Sequence, residues 1–281
     1  MKKIWKWLGI VAGTVAGLAL VAIVAILVSS QLKLGREYEV LEKTTIFLPT
    51  EAGDVAEGAR LARLTGCIRC HGETLTGAVP LDIPNVARFV APNVTAMQAK
   101  YDDAAFAALI REGVKADGTG VYFMPAEMFR HLSDQDVARI IAWVHTMPSA
   151  AGVTEKSQIR AIGRMLVARG DFQSGPEQVH AMRDTSRNVD QSTAQGRGRY
   201  LVMNLCSECH GQDLNGRPEA ENAPPLLVAK AYSLEEFARL MHDGEATGDR
   251  PLGLMASTAK SRFSVLTPDE VAAMHEFLQS R

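Results

Sequence analysis

The sequence predicts an all-α protein: an N-terminal transmembrane helix followed by two tandem, small helical domains. Three observations predict it. An uncharged apolar run from Leu8 to Val28 is long enough to span a bilayer. The pattern Cys-x-x-Cys-His-Gly-x-x-Leu-x-Gly occurs twice, as GCIRCHGETLTG at 66–77 and LCSECHGQDLNG at 205–216. The same order of helical segments and Pro-rich loops surrounds each copy, and no strand pattern competes with it.

The N-terminal helix comes first. Lys2, Lys3 and Lys6 precede the apolar run, so its N-terminus should stay in the cytoplasm, with Trp5 and Trp7 at the interface. The competing reading is a cleaved signal peptide. That would have a shorter apolar region, although Val28-Ser29-Ser30 is an acceptable cleavage site. On either reading everything after residue 30 is exported, to the periplasmic side of a bacterial inner membrane. Residues 1–30 form the expected single-pass anchor and 31–53 a tether. Gly9, Gly13 and Gly17 share one helix face, where a second membrane helix could approach closely.

The first domain is expected over 54–148, the second over 191–281, with a linker at 149–190. Each domain opens with a helical stretch, VAEGARLARLTG or TAQGRGRYLVMNL, that runs into Cys-x-x-Cys-His. An irregular stretch follows, ending in Ala91-Pro92-Asn93-Val94 or Ala223-Pro224-Pro225-Leu226. Next comes a short helix, DDAAFAALIREG or SLEEFARLMHDG, the latter with a capping box from Ser233 and Glu236. A terminal helix closes each copy. Ser133 opens the first; Thr267, Pro268 and Glu270 open the second as N-cap, first helical residue and capping-box partner. The linker contains one helical piece, IGRMLVARG.

Net charge is −2 and no long basic run lies beyond the first six residues, which excludes nucleic acid as a partner. Only 6% of residues are aromatic, so a buried planar cofactor could fill space that side chains do not. All four cysteines fall in the two pairs Cys67/Cys70 and Cys206/Cys209, followed at once by His71 and His210. On a helical turn i, i+3 and i+4 share a face. Two thiols so placed can add to the two vinyl groups of a haem while the imidazole reaches the iron, which is the pattern of c-type haem attachment. A four-cysteine zinc site needs its pairs far closer in sequence, a thioredoxin-like pair needs a βαβ unit, and disulfides leave the histidines unexplained. Two covalent haem c groups are therefore expected.

A six-coordinate haem needs a ligand on its other face, and methionine suits electron transfer because its sulfur favours Fe(II). Met124, before Pro125 in a loop ahead of the terminal helix, is the candidate in the first copy; Met128 is read as haem-edge or core packing, and Met97 and Met147 as core or surface residues. Met255, in the corresponding loop, is the candidate in the second, where Met241 and Met274 lie inside helices. Of the remaining histidines, His131, His145, His180 and His275 are read as structural, and His242 is the one rival ligand.

With these residues in view, the chain resembles a membrane-anchored dihaem cytochrome c built of two class-I-like cytochrome c domains. The stretches APNVT, DDAAFAALIREGVKADGTGVYFMP and FRHLSDQDVARIIAWV are similar to haem domains in the cytochrome subunits of bacterial membrane-bound alcohol and aldehyde dehydrogenases. The resemblance covers nearly all of 54–281. It implies thioethers at Cys67, Cys70, Cys206 and Cys209, proximal ligands His71 and His210, and distal ligands Met124 and Met255. It also implies that the carbonyls of Pro92 and Pro225 orient the proximal imidazoles. Two departures are visible: such subunits commonly carry three haem domains, and Met255 is followed by Ala256 rather than proline.

The expected function is transfer of single electrons between a respiratory donor, a dehydrogenase or reductase complex, and an acceptor such as a terminal oxidase. The alternative is a dihaem peroxidase, which needs one iron with a displaceable position. Two methionine ligands weigh against it. A haem-based sensor would want an output module, which the sequence lacks.

Overall fold

The computed structural model describes residues 2–42, 45–182, 189–217, 223–248 and 250–281. The N-terminal helix α1 spans Lys2–Leu34, about 50 Å at 1.5 Å per residue. It is long and apolar enough to cross a membrane. Its apolar side chains, among them Leu8, Val15, Leu18, Leu20 and Val21, are exposed. The helix runs four residues past the expected border of the anchor, because protein contacts take over there. The Ser30 hydroxyl is fully buried and Arg164 donates to it and to Gln31. Lys33 Nζ donates to the Ala168 carbonyl, and the Tyr122 hydroxyl donates to the carbonyl of Lys33.

The first repeat consists of α2 (Ala52–Leu64), α3 (Cys67–His71), a hairpin of β1 (Ala78–Ile83) and β2 (Ala87–Ala91), α4 (Asp103–Glu112), α5 (Ala126–Phe129) and α6 (Asp134–Thr146). Between the repeats lie β3 (Gln158–Ile159), α7 (Ala161–Arg169) and α8 (Gly175–Ala181). The second repeat consists of α9 (Ala194–His210), a 3₁₀ turn at Leu226–Ala231, α10 (Leu234–Asp243), α11 (Leu254–Ser261) and α12 (Pro268–Ser280).

The fold is mostly helical, as expected, with one small addition. β1 and β2 pair antiparallel, and β3 pairs antiparallel with β2. The sheet arises where the connection from Gly77 to Ala91 is longer than its counterpart from Gly216 to Ala223, whose described residues include a bridge between Arg217 and Ala223. Residues 149–182 are therefore not a loose arm. Val153 donates to the Thr76 carbonyl, the Ser157 hydroxyl accepts from the Val90 amide, and Arg160 pairs with Asp82 at 2.6 Å.

Both repeats are built on a crossing of their first and last helices, with a glycine at the closest point. A Cβ on Gly58 of α2 would lie 2.0 Å from the Arg139 carbonyl of α6, and a Cβ on Gly198 of α9 2.0 Å from the Ala273 carbonyl of α12. The repeats differ just before the cysteines. Gly66, left-handed at φ 88°, breaks the first helix and starts a separate turn at Cys67. Leu205 holds the equivalent position in the second copy, so α9 runs unbroken through His210. The capping boxes at Ser233/Glu236 and Thr267/Glu270 form as expected, and Ser133 accepts from the Asp136 amide at the start of α6.

The two repeats share one continuous apolar core, which contains Leu61, Leu64 and Ile140 from the first and Leu201, Met274 and Leu278 from the second. Polar groups cross the seam. Arg60 makes a two-pronged contact with the buried carboxylate of Glu270 at 2.8 and 2.9 Å, and Arg197 adds a third bond at 2.9 Å. The buried Tyr200 hydroxyl donates to Asp136 at 2.6 Å and accepts from the Ser133 amide. His131 Nε2 donates to Gln212 Oε1 at 2.8 Å, and the Gln212 amide donates to the Glu127 carbonyl.

Candidate functional site

The spacing shared by the two Cys-x-x-Cys-His-Gly-x-x-Leu-x-Gly copies has a geometric explanation. After the helical turn that carries the cysteines and histidine, the chain must reverse tightly. Gly72 and Gly211 leave the helix at φ 81° and 82°. Leu75 and Leu214 sit in left-handed conformations at φ 56° and 60°, costly for a branched side chain. Both are almost fully buried, so core packing holds them there. Gly77 and Gly216 (φ 94° and 90°) close the reversal by donating to the carbonyls of His71 and His210, both at 2.9 Å. A Cβ on Gly77 would stand 2.7 Å from the Ala91 carbonyl, and one on Gly216 2.6 Å from that of Ala223. The reversal thus lies hard against the Ala-Pro segment that faces the imidazole.

That closeness fixes the histidines. His71 Nδ1 is 2.9 Å from the carbonyl of Pro92, and His210 Nδ1 is 2.7 Å from that of Pro224. A carbonyl only accepts, so Nδ1 carries the proton and Nε2 presents its lone pair. Among the described residues neither Nε2 has a hydrogen-bond partner. Burial holds both imidazoles below their ordinary pKa, against the opposite pull of the proline carbonyls, so both are neutral at pH 7.

The carbonyl that faces His71 is that of Pro92, and the one that faces His210 is that of Pro224 rather than Pro225. The register runs from Ala91 and Ala223, so Pro224 is the equivalent of Pro92 and Pro225 that of Asn93. Pro225 instead caps the 3₁₀ turn that begins at Leu226. Val94 and Leu226, each two residues past the orienting proline, donate to the carbonyls of Leu75 and Leu214 and confirm that register.

None of the four thiols is in a disulfide, and each cysteine is partly accessible. Burial pushes the Cys67 thiol up, and those of Cys70 and Cys206 to about 11 and about 12. The positive charge of Arg262 opposes the rise at all three. Among the described residues no group of three or more His, Cys, Asp or Glu side chains is arranged to hold a bare metal ion.

Met124 lies in the turn just before α5, partly buried against the apolar core. Met255 packs against that core too, but as the second residue of α11 rather than in a loop. Without a following proline, nothing prevents the helix from starting at Leu254. Both methionine segments press on the end of a helix. Ala126 lies against Gly113 at the end of α4, and Ala256 against Gly244 at the end of α10. Met128, Met241 and Met274 are core residues. His131, His145 and His275 hydrogen-bond to Gln212, Asp103 and the Tyr232 carbonyl, and His180 stacks edge-on to Tyr38. His242 ends α10, partly exposed.

Sequence reasoning missed Arg262, Gln212 and Tyr200, whose roles depend on the packing of one repeat on the other.

Two copies of a Cys-x-x-Cys-His turn, each with a carbonyl-held imidazole and a glycine-mediated helix crossing, define a tandem pair of small helical domains of the cytochrome c type. The family match agrees. The sequence model of cytochrome c matches residues 55–148 and 196–281, and the chain belongs to the cytochrome c family, whose domains bind haem c covalently. It is similar to the fructose dehydrogenase cytochrome subunit of Gluconobacter japonicus, 24% identical over 258 residues, which cover 80% of this chain and 52% of that protein. It is also similar to the cytochrome c subunit of the quinone alcohol dehydrogenase of Gluconacetobacter polyoxogenes, at 25% over 270 residues, 80% of this chain and 55% of the relative. The corresponding subunit from Gluconobacter oxydans is 28% identical over 170 residues, 56% of this chain and 34% of that one. The chain spans about half the length of the first two relatives.

Proposed function

We propose that the chain is a membrane-tethered dihaem cytochrome c, the electron-transfer subunit of a membrane-bound dehydrogenase, passing single electrons onward to an acceptor such as a terminal oxidase. The observation that carries this reading is the duplicated imidazole. His71 and His210 are each neutral, held through Nδ1 by a proline carbonyl, and offer Nε2 to whatever lies beside the two thiols. Such a donor set suits haem c. A bound haem would supply a one-electron Fe(III)/Fe(II) couple in each domain.

In this reading Cys67 and Cys70 hold one haem and Cys206 and Cys209 the other. His71 and His210 are the proximal ligands, Met124 and Met255 the distal ones. Pro92 and Pro224 keep each imidazole from rotating and make it a better donor. The domain borders proposed are 54–148 and 191–281, with 149–182, in the linker at 149–190, serving as a strap on the first domain. α1 would cross a bacterial inner membrane once and keep both domains at its periplasmic face, where a tether raises their effective concentration beside a partner. The dehydrogenase partner is supported by the similarity to cytochrome subunits of fructose and alcohol dehydrogenases.

Optical and EPR spectra of the oxidised full-length protein test the ligand set. Two low-spin haems with a methionine-to-iron charge-transfer band are expected. A high-spin haem that binds added ligands would overturn the assignment, first at Met255.

A further inference from the structure

We infer that Arg262 is a positioning residue shared by the two haem-attachment motifs, locking their cysteine-bearing edges together and setting the electrostatic environment of both haems at once. The inference rests on the proposal that each motif holds a haem.

Arg262 follows α11, in the second repeat, yet its side chain reaches into the first. Nε donates to the Leu64 carbonyl at the end of α2. Its guanidinium carbon lies 3.2 Å from where a Cβ on Gly66 would be, the residue immediately before Cys67. Nη1 pairs at 3.3 Å with Glu208, which stands between Cys206 and Cys209. One side chain therefore touches the approach to the first motif and the middle of the second. A neighbouring contact repeats the connection, since Arg69, between Cys67 and Cys70, donates to the Ser261 hydroxyl at 3.4 Å.

The group is an expensive one to place there. Arg262 is only 7% exposed, and its Nη2 has no hydrogen-bond partner among the described residues. A buried guanidinium with a partly exposed counter-ion and an orphaned donor stabilises a fold poorly compared with an apolar side chain. Its placement makes sense through its charge. A haem loses one positive charge on reduction, so a fixed cation nearby favours the reduced form and an anion the oxidised form. In a low-dielectric interior such effects are poorly screened. Gly66 and Arg262 also sit close: a Cβ at 66 would stand 3.2 Å from both Nε and the guanidinium carbon, tight enough to shift the guanidinium slightly.

The test is a spectroelectrochemical titration of full-length protein in detergent, on wild type, Arg262→Gln, Arg262→Lys and Glu208→Gln, after a pyridine haemochrome count on each. With two haems per chain, Arg262→Gln is expected to lower both reduction potentials and Glu208→Gln to raise both. Arg262→Lys, which keeps the charge but not the fork, should restore most of the loss. A purely structural role would loosen the seam in both neutralising variants and move the potentials in the same direction. Two haems per chain with potentials that do not move, move in one haem alone, or move in the same direction in both variants would overturn the inference. If Arg262→Gln loses haem, the sign of the Glu208→Gln shift decides it. A wild-type count below two would overturn the dihaem reading itself, and this inference with it.

Discussion

Gly77→Ala is a sharp perturbation of the histidine cradle. Gly77 has φ 94°, and a Cβ there would stand 2.7 Å from the Ala91 carbonyl and 3.0 Å from the Asn93 amide. Left-handed backbone costs a non-glycine residue about 1–2 kcal/mol. Overpacking against backbone, which cannot rotate away as a side chain can, adds about 1–3 kcal/mol. The sum, roughly 2–5 kcal/mol, is a large part of the 5–15 kcal/mol typical of a folded domain. At about 4–8 °C per kcal/mol for a domain of this size, melting should fall by roughly 10 °C or more. Relief must come from moving the Ala91-Pro92 segment, which withdraws the Pro92 carbonyl from His71. The visible spectrum of the first haem should therefore change with the melting temperature. Gly216→Ala should do the same to the second copy through Ala223 and Pro224. Gly53→Ala is the control: Gly53 lies in α2 with nothing within 4 Å of its Cβ position, and alanine should add about 0.5–1 kcal/mol. The assay is thermal unfolding followed by circular dichroism and haem absorbance together. If Gly77→Ala melts with wild type and keeps its spectrum, the cradle does not hold His71 as described.

Three further predictions follow from the same geometry. Glu270→Gln removes the carboxylate shared by Arg60 and Arg197; Arg60 keeps its pair with Glu57 and Arg197 is partly exposed, so the cost should be about 1–3 kcal/mol. Burial pushes the Glu270 carboxyl up, but the Arg60 bond, the Thr267 amide and the charges of Arg60 and Arg197 outweigh it and hold its pKa below the ordinary value. Its contribution is thus complete above the ordinary carboxylate pKa and is lost as pH falls through the lowered one, so acid unfolding of Glu270→Gln should show a shallower pH dependence than wild type. Tyr200→Phe leaves the Ser133 amide and Asp136 without their hydroxyl partner and should lower stability by about 1–3 kcal/mol, measured by denaturant unfolding. Met255→Ala should convert the second haem alone to a high-spin, cyanide-binding form while the Met124 haem keeps its charge-transfer band, read by EPR and near-infrared absorption.

The features carried by local chemistry were legible before any coordinates. The cysteine–histidine turns, the capping boxes at Ser233 and Thr267 and the helix at 161–169 each follow from residues within one or two turns. The β1–β2 hairpin was not legible because β1 includes Pro80 and an irregular register, and its pairing depends on the extra length between Gly77 and Ala91. The shift from Pro225 to Pro224 is a one-residue register problem. Two adjacent prolines hid it, and only the alignment of Ala91 with Ala223 resolves it. Met255 was legible as a residue but not as part of a helix. The seam was invisible for a deeper reason: Arg60, Tyr200, Gln212 and Arg262 look like surface residues in their own repeats, and each also bonds to a residue of the other repeat.

The central claim is that each repeat holds its own covalently attached haem. The most direct measurement is the intact mass of the purified full-length chain under denaturing conditions, which retains thioether-bound haem and sheds the rest. The account predicts the mass of the polypeptide plus two haems. A mass corresponding to one haem, or to none, would contradict it.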